Sequence, residues 1–171
     1  MHQLNILYQG GVFMKQKLRP YIISVAFSVG VGLLSALLTR GNMDIYKEVV
    51  TPPLSPPSFL FPIVWTVLYI LMGISAAMIY TDKKAPAKQK ESALFIYVAS
   101  LVVNFFWSII FFNMRAFFFA FIWLLLLLFL IISTILQYRK INPTAAYLQI
   151  PYAVWVIFAG YLNSGIWILN K

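Results

Sequence analysis

The chain contains no cysteine, and its single histidine is His2 at the N-terminus. Without thiols it can form neither a disulfide nor a thiolate-bound zinc site. Imidazole or thiolate ligation of haem iron from within the fold is excluded for the same reason. The sequence therefore predicts no metal site, and we expect no bound cofactor.

Charge is also scarce, because only 10% of the residues are charged where soluble domains have about 25%. The four acidic residues fall outside the long apolar runs; they are Asp44, Glu48, Asp82 and Glu91. An ionisable residue within a span usually marks a proton relay or an ion pathway, so its absence argues against a pump or a channel.

No paired carboxylates or Ser/His/Asp constellation is present, so no conventional catalytic site is predicted. Whether the protein is an enzyme stays open.

Hydrophobic residues make up 62% of the 171 residues. They form five apolar runs, and a run of about 20 such residues spans the hydrocarbon core. Because irregular backbone cannot face lipid, we predict an all-α integral membrane protein, a single bundle of five transmembrane helices. The predicted spans are approximately 21–39, 62–80, 92–112, 116–138 and 144–169.

The first residues differ in character from the rest. Met14-Lys15-Gln16-Lys17 resembles a natural start, so residues 1–13 are predicted to be a disordered N-terminal extension and residues 14–171 the membrane domain. The first apolar run is too long for a signal peptide, and no small-residue cleavage site follows it.

A rigid loop separates the first two spans, from Pro52 to Trp65. It holds five prolines, and each fixes its backbone φ and removes an N–H donor. The loop is stiff, apolar and non-helical, which suits a lid over the bundle. Pro62 then falls at the start of the next helix, where its missing donor is tolerated.

The net charge of +9 comes from basic residues between the spans. On the N-terminal side lie Lys15, Lys17, Arg19, Lys83, Lys84, Lys88, Lys90, Arg139 and Lys140, and on the other side Arg40, Lys47, Arg115 and Lys171. The positive-inside rule places the N-terminus in the cytoplasm, and the lid and C-terminus opposite, in a bacterial-type plasma membrane. Topology control and lipid headgroups explain this charge better than nucleic acid does.

Neutral polar and aromatic residues recur on faces of three predicted helices. They are Trp65 and Tyr69 on the second, Asn104 and Trp107 on the third, and Tyr152, Trp155, Ala159 and Asn163 on the fifth. If these faces converge, they form an apolar cavity with a few hydrogen-bonding groups, which suits a flat hydrophobic ligand.

Simpler interpretations stay open for these residues. A tryptophan near a helix end is commonly an interface anchor, which is the alternative for Trp65 and the expectation for Trp123 and Trp167. Buried amides often only join neighbouring helices, which is the alternative for Asn104 and Asn163.

Small residues raise a similar choice. Ser24, Ser28, Gly32 and Ala36 recur every four residues in the first span, and such spacing lets helices approach closely. Packing within the bundle is the preferred interpretation, and a dimer interface is the alternative. Ala159 also could serve packing alone.

Together these residues resemble the TspO/translocator-protein family, the tryptophan-rich sensory proteins and peripheral benzodiazepine receptors. The resemblance covers the chain from about Pro20 to the C-terminus. It is carried by Pro52–Trp65 with Tyr69, by Asn104-Phe105-Phe106-Trp107, and by Pro151–Trp155 through Ala159 to Asn163.

The resemblance implies a compact five-helix fold that binds porphyrins and isoquinoline-carboxamide or benzodiazepine-type drugs, and a homodimer among membrane lipids. Trp65 and Trp155 match the tryptophans linked to porphyrin handling, and Ala159 matches a small position whose enlargement alters binding. The implied ligand-binding residues are Pro57, Phe61, Trp65, Tyr69, Asn104, Trp107, Tyr152, Trp155, Ala159 and Asn163.

Three departures from the family pattern stand out. Leu54 replaces a loop tryptophan, Trp123 stands where a carboxylate is frequent, and Ser164 replaces the tyrosine of the animal sterol motif. The stretch Leu136–Lys140 fits a generic sterol pattern of low specificity. Sterol binding is therefore not expected.

We predict a membrane receptor or binding protein for porphyrins and similar flat ligands, acting in their transport or sensing. One alternative is light-dependent porphyrin degradation by the pocket tryptophans Trp65 and Trp155. A second is a structural membrane protein with an incidental cavity.

Overall fold

The computed structural model describes residues 2–43 and 45–171, with side chains from residue 18 onward. Helix α1 is His2–Thr39, followed by a 3₁₀ turn at Arg40–Asn42 and the short helix α2, Ile45–Glu48. The others are α3, Leu60–Thr81; α4, Ala87–Ser108, continued by a π-helical turn at Ile109–Asn113; α5, Phe117–Ile141; and α6, Pro143–Leu169. The predicted extension at residues 1–13 lies outside the residues whose side chains are described, and it stays a prediction.

Five helices in the described part of the chain are long and apolar enough to cross a membrane. They are α1 and α3 to α6, so the predicted all-α bundle of five spans is confirmed. The spans begin and end within a few residues of the predicted positions, except that helical backbone extends α1 toward the N-terminus. The proline-rich segment lies between α1 and α3, as predicted.

The start of α6 follows directly from two residues. The side chain of Asn142 accepts hydrogen bonds from the backbone N–H groups of Thr144 and Ala145, at 3.1 and 3.3 Å. Pro143 occupies the first helical position, where an N–H would have no partner in the helix. Asn142 and Pro143 therefore let α6 begin immediately after α5 ends.

Helix α1 packs on α3 and α4 through its small residues. Ser28 is fully buried, and its hydroxyl lies 2.6 Å from the hydroxyl of Tyr97 on α4. A Cβ atom at Gly32 would overlap the ring of Tyr69 on α3. Packing within the bundle is therefore the correct interpretation at Ser28 and Gly32, although Ala36 is exposed.

Trp123 was expected to anchor the protein at the membrane surface, and that expectation is wrong. Its indole N–H donates a 2.7 Å hydrogen bond to the backbone carbonyl of Val103 on α4. The indole is half-buried against the core. Trp123 therefore joins α5 to α4, which is a favourable use of an N–H group where no water competes.

Much of the apolar surface faces outward. On α1 the exposed side chains include Ile22, Phe27, Leu33 and Leu37. Helix α5 also exposes large apolar residues, such as Phe129 at 65% of its surface. Such a surface is stable only in lipid, which agrees with the predicted membrane location.

We predict that Gly73→Ala destabilises the bundle. A Cβ atom there would lie 2.5 Å from the Cα atom of Val25, so α3 and α1 would have to separate. Overpacking of this kind lowers the free energy of unfolding by about 1–3 kcal/mol. Thermal unfolding of the purified protein in detergent measures the change.

The matched control is Gly30→Ala, because a Cβ atom at Gly30 meets nothing within 4 Å. This control should leave the melting temperature unchanged or raise it, since alanine favours helix. Equal melting temperatures for Gly73→Ala and the unmodified protein would contradict the close α1–α3 contact.

Candidate functional site

The three helix faces predicted to converge do so around Trp65 of α3. Its ring centroid lies 6.4 Å from that of Trp107 on α4 and 6.2 Å from that of Tyr152 on α6. Tyr69, one turn along α3, lies 5.7 Å away. We call the set the aromatic cluster; it comprises Trp65, Tyr69, Asn104, Trp107, Tyr152, Trp155, Ala159 and Asn163.

A small, partly enclosed void lies against this cluster. Its cavity volume is about 10 Å³, and it is lined by Tyr46, Phe61, Trp65, Trp107, Phe111, Trp155, Ala159, Leu162 and Asn163. The gaps between the rings leave room for roughly a single water molecule. Ligand pockets for drug-sized molecules measure about 300–1,000 Å³, so the void as it stands is too small for such a ligand.

Tyr46 and Phe61 form the roof of the void. Tyr46 belongs to the short helix α2, and its ring stacks on that of Phe61 with centroids 5.1 Å apart. Phe61 in turn makes an edge contact with Trp155, at 6.0 Å. The predicted lid is therefore divided: the part over the void is α2 and the first turn of α3, and the proline run lies elsewhere.

The proline run packs on the C-terminal half of α6. Pro52 is buried and lies against Gly165, where an added Cβ atom would be 2.6 Å from the proline ring. The hydroxyl of Tyr161 donates to the carbonyl of Pro53 at 2.8 Å. Leu54, at a left-handed φ of 65°, is 83% exposed, so the departure from the family tryptophan lies outside the void.

Two further contacts hold the loop. Asn170, just after α6, accepts a hydrogen bond from the N–H of Val50 at 2.8 Å and donates one to its carbonyl at 2.9 Å. Arg115, between α4 and α5, forms a 2.8 Å ion pair with Glu48 at the end of α2. The side chains of Arg115 and Glu48 are about half exposed, so their ion pair contributes about 1 kcal/mol or less to the free energy of unfolding.

Unpaired polar atoms concentrate in the aromatic cluster. Among the described residues, seven buried side-chain nitrogen or oxygen atoms lack a hydrogen-bond partner, and six of them belong to the cluster. The six are Asn104 Oδ1, Trp107 Nε1, Tyr152 OH, Trp155 Nε1 and both Nδ2 and Oδ1 of Asn163. Each such group costs about 1–3 kcal/mol to bury without a partner. These atoms are available for hydrogen bonds that the side chains of the cluster do not make with one another.

The two amides behave differently. Asn104 donates through Nδ2 to the hydroxyl of Tyr69 at 2.9 Å, so it does join α4 to α3 while keeping one oxygen free. Asn163 is 1% exposed and makes no side-chain hydrogen bond with the described residues. Joining neighbouring helices therefore explains the Nδ2 group of Asn104 but not its Oδ1 atom, and it explains neither polar atom of the Asn163 side chain.

The structure brings most of the predicted residues together. Phe61, Trp65, Trp107, Trp155, Ala159 and Asn163 line the void, while Tyr69, Asn104 and Tyr152 lie directly behind them. Pro57 does not join them, because it is exposed and its carbonyl only accepts the N–H of Leu60. Trp65 is not a surface anchor, since its ring packs against the core.

Three lining residues were missed from the sequence: Tyr46, Phe111 and Leu162. Phe111 lies one turn after Trp107, and the two rings stack at 5.4 Å, so helical spacing could have found it. It belongs to the π-helical turn at Ile109–Asn113, a form that often occurs at functional sites. No local signal singled out Tyr46, whose place depends on how the loop folds back.

Comparison with known proteins agrees with this architecture. The model of the TspO/MBR family matches residues 24–168. The translocator protein of Bos taurus is 33% identical over 157 residues, covering 89% of this chain and 92% of its own. The tryptophan-rich protein TspO of Chlorobaculum tepidum is 30% identical over 159 residues, covering 92% and 99%. Protein CrtK of Rhodobacter capsulatus is 33% identical over 142 residues, covering 81% and 85%. A match over nearly the whole chain, together with five spans around a tryptophan-rich centre, shows that this integral membrane protein belongs to the TspO/MBR family.

Proposed function

We propose that the protein binds a porphyrin, or a similarly flat hydrophobic molecule, in the aromatic cluster beneath α2. The observation that carries the proposal is the set of unpaired buried polar atoms of Trp107, Trp155 and Asn163, which line a void whose other walls are aromatic or aliphatic. Stacking of a ligand ring on an indole contributes about 0.5–1.5 kcal/mol beyond burial. The amide and indole N–H groups are available to hydrogen-bond polar atoms on its edge.

The composition narrows the ligand further. With no cysteine and with His2 as the one histidine, the spans offer no axial ligand for haem iron. A metal-free porphyrin therefore suits the site better than haem. The unpaired amide oxygens can accept a hydrogen bond from a pyrrole N–H, and the unpaired amide and indole N–H groups can donate to a carboxyl group.

Binding requires the site to open, because a cavity of about 10 Å³ cannot hold a macrocycle. The segment that would move is the loop after α1. It is held by hydrogen bonds to Asn170, Tyr161 and Asn113, by the Arg115 ion pair, and by the burial of Ile45 and Pro52. Each hydrogen bond contributes a net ~1 kcal/mol. Opening at this end would lift Tyr46 and expose the unpaired atoms of Trp155 and Asn163.

The orientation of the protein in the membrane is part of the same proposal. The basic residues on the N-terminal side support a cytoplasmic location for that end, in a bacterial-type plasma membrane. The loop and the void then lie at the opposite surface, where ligand arriving from outside would meet them. A homodimer, and a role in transport or sensing of the ligand, belong to this proposal too; the name translocator protein, given to the Bos taurus relative, supports transport.

A second candidate function is photochemical degradation of the bound porphyrin. It is favoured by the placement of two indoles, Trp65 of α3 and Trp155 of α6, on the lining of one void. A porphyrin excited by light would be within contact of both and could take an electron from one of them. The two functions differ in whether the tetrapyrrole survives illumination.

We predict that Ala159→Phe weakens porphyrin binding at least tenfold. Ala159 lines the void and is 8% exposed, so a phenyl ring there occupies the space that the ligand needs. Titration of protoporphyrin, followed by quenching of tryptophan fluorescence, measures the affinity. Ala36→Phe is the control, because Ala36 is exposed on α1; an equal loss in both variants, or in neither, would remove Ala159 from the site.

The degradation hypothesis predicts a light-dependent loss of the Soret band beyond that of a protein-free sample. Trp155→Phe should abolish this excess loss while the protein still binds porphyrin. Stable absorbance with quenched tryptophan fluorescence would instead leave binding as the function. Absence of any saturable binding would reject both.

The loop attachments predict a kinetic effect. Tyr161→Phe removes the hydrogen bond to Pro53 and should raise the association rate constant about two- to tenfold, since a net hydrogen bond is worth about 0.5–1.5 kcal/mol. Tyr147→Phe is the control on the same helix, because the Tyr147 ring is 63% exposed and makes no hydrogen bond with the described residues. Stopped-flow mixing with protoporphyrin measures the rates; identical rates in the two variants would show that this contact does not control access.

A further inference from the structure

A second cavity lies at the opposite end of the bundle, where α1, α3 and α4 diverge. It is a groove of about 550 Å³, open along one side. Its lining is mostly apolar and consists of Arg19, Pro20, Ile23, Ser24, Phe27, Ala76, Ala77, Tyr80, Leu94, Tyr97 and Val98. The groove shares no lining residue with the aromatic cluster.

The buried hydroxyl group in the wall of the groove, that of Tyr97, is already paired. The hydroxyl of Tyr97 lies 2.6 Å from that of Ser28, and Ser28 also donates to the carbonyl of Ser24 at 2.9 Å. No orphaned polar atom therefore requires a polar ligand within the groove. Its occupant is expected to be a chain of methylene groups, each worth about 0.8 kcal/mol when buried.

One end of the groove is marked by positive charge. Arg19 lines it, is exposed, and has no acidic partner among the described residues. Across the groove, the ammonium group of Lys90 is held 3.3 Å from the carbonyl of Tyr80, another lining residue, and 2.8 Å from that of Asp82. From Arg19 to Phe27 the groove follows α1 for about 12 Å, at 1.5 Å per residue.

The acidic residues at this end do not neutralise the charge. The carboxylate of Asp82 accepts the N–H groups of Lys84 and Ala85, at 2.8 and 2.9 Å. Hydrogen bonds from the backbone of Ala85 and Lys84 keep the pKa of Asp82 below its usual value, so it stays ionised in this turn. The basic residues described on this side are Arg19, Lys83, Lys84, Lys88, Lys90, Arg139 and Lys140, against Asp82 and Glu91.

We propose that this groove is a binding site for an anionic phospholipid, with one acyl chain between α1, α3 and α4 and the headgroup phosphate on Arg19. Basic pockets between membrane helices on the cytoplasmic side commonly bind anionic headgroups. A guanidinium group suits a phosphate because it can donate two parallel hydrogen bonds. The open side of the groove faces the acyl chains, so the lipid can enter from the bilayer.

The test is lipid retention measured by native mass spectrometry of the full-length protein released from nanodiscs. The nanodiscs contain equal amounts of phosphatidylglycerol and phosphatidylcholine of the same chain length. The unmodified protein should retain phosphatidylglycerol in preference. Arg19→Gln should lower that preference about fivefold, the factor that one basic residue contributes near an anionic surface.

Two variants act as matched controls. Arg139→Gln removes the same charge from an exposed position outside the groove lining and should keep most of the preference. Val98→Trp fills the groove and should reduce retention of both lipids, whereas Val154→Trp, at an exposed valine on α6, should not. Monodisperse elution on size-exclusion chromatography confirms that each variant is folded.

Several results would overturn the proposal. Equal preferences in Arg19→Gln and Arg139→Gln would show that only the general positive charge attracts the lipid. A dimer signal that Val98→Trp abolishes, with lipid retention unchanged, would assign the groove to a contact between two copies of the chain. Loss of lipid on addition of protoporphyrin would make the groove a porphyrin site. The porphyrin affinity of Arg19→Gln should equal that of the unmodified protein, so this proposal and the proposed function can fail separately.

Discussion

A bilayer offers no hydrogen-bond partner to a polar group, and this constraint governs the structure at every level. It forces the backbone into helices within the lipid and confines irregular segments to the two surfaces. It also explains why side-chain donors find carbonyls on neighbouring helices. Trp123 joins α5 to α4 in this way, and Ser75 of α3 donates to the carbonyl of Ala145 on α6 at 2.7 Å. Gln149, buried at 1%, completes this contact by donating to Ser75.

Against that background the aromatic cluster is an exception. Elsewhere among the described residues only the hydroxyl of Tyr138 is buried without a partner, whereas the cluster has six unpaired atoms. Such groups reduce stability, so their concentration at one place singles out this part of the bundle. The void beside them is small because the aromatic rings pack closely on one another.

The loop after α1 combines two physical tasks. Its proline run is fixed on α6 through Pro52 and Tyr161, which gives the loop a firm base. The α2 turn carries the Tyr46 ring over the void and is joined to Arg115 by an exposed ion pair. Ile45 of α2 is buried in the core at 1%, and Tyr46 packs against the rings of Phe61 and Phe111. The groove beside Arg19 shares no lining residue with the void beneath α2.

Several features could be predicted from the sequence because they depend on local chemistry. Apolar run length determined the five spans, and Asn142-Pro143 determined where α6 begins. Helical spacing placed Trp155, Ala159 and Asn163 on one face.

Only the tertiary structure decided which faces meet and how tightly. Trp123 bonds to a backbone carbonyl rather than anchoring at the surface, Pro57 lies away from the void, and Tyr46 covers it. These outcomes depend on the path of a loop and on how the helices cross. At Gly73, for example, α3 packs directly on Val25 of α1, a residue far away in the sequence. The local sequence pattern determines which side chains share a face of each helix. The packing of all five helices determines which residues that face contacts.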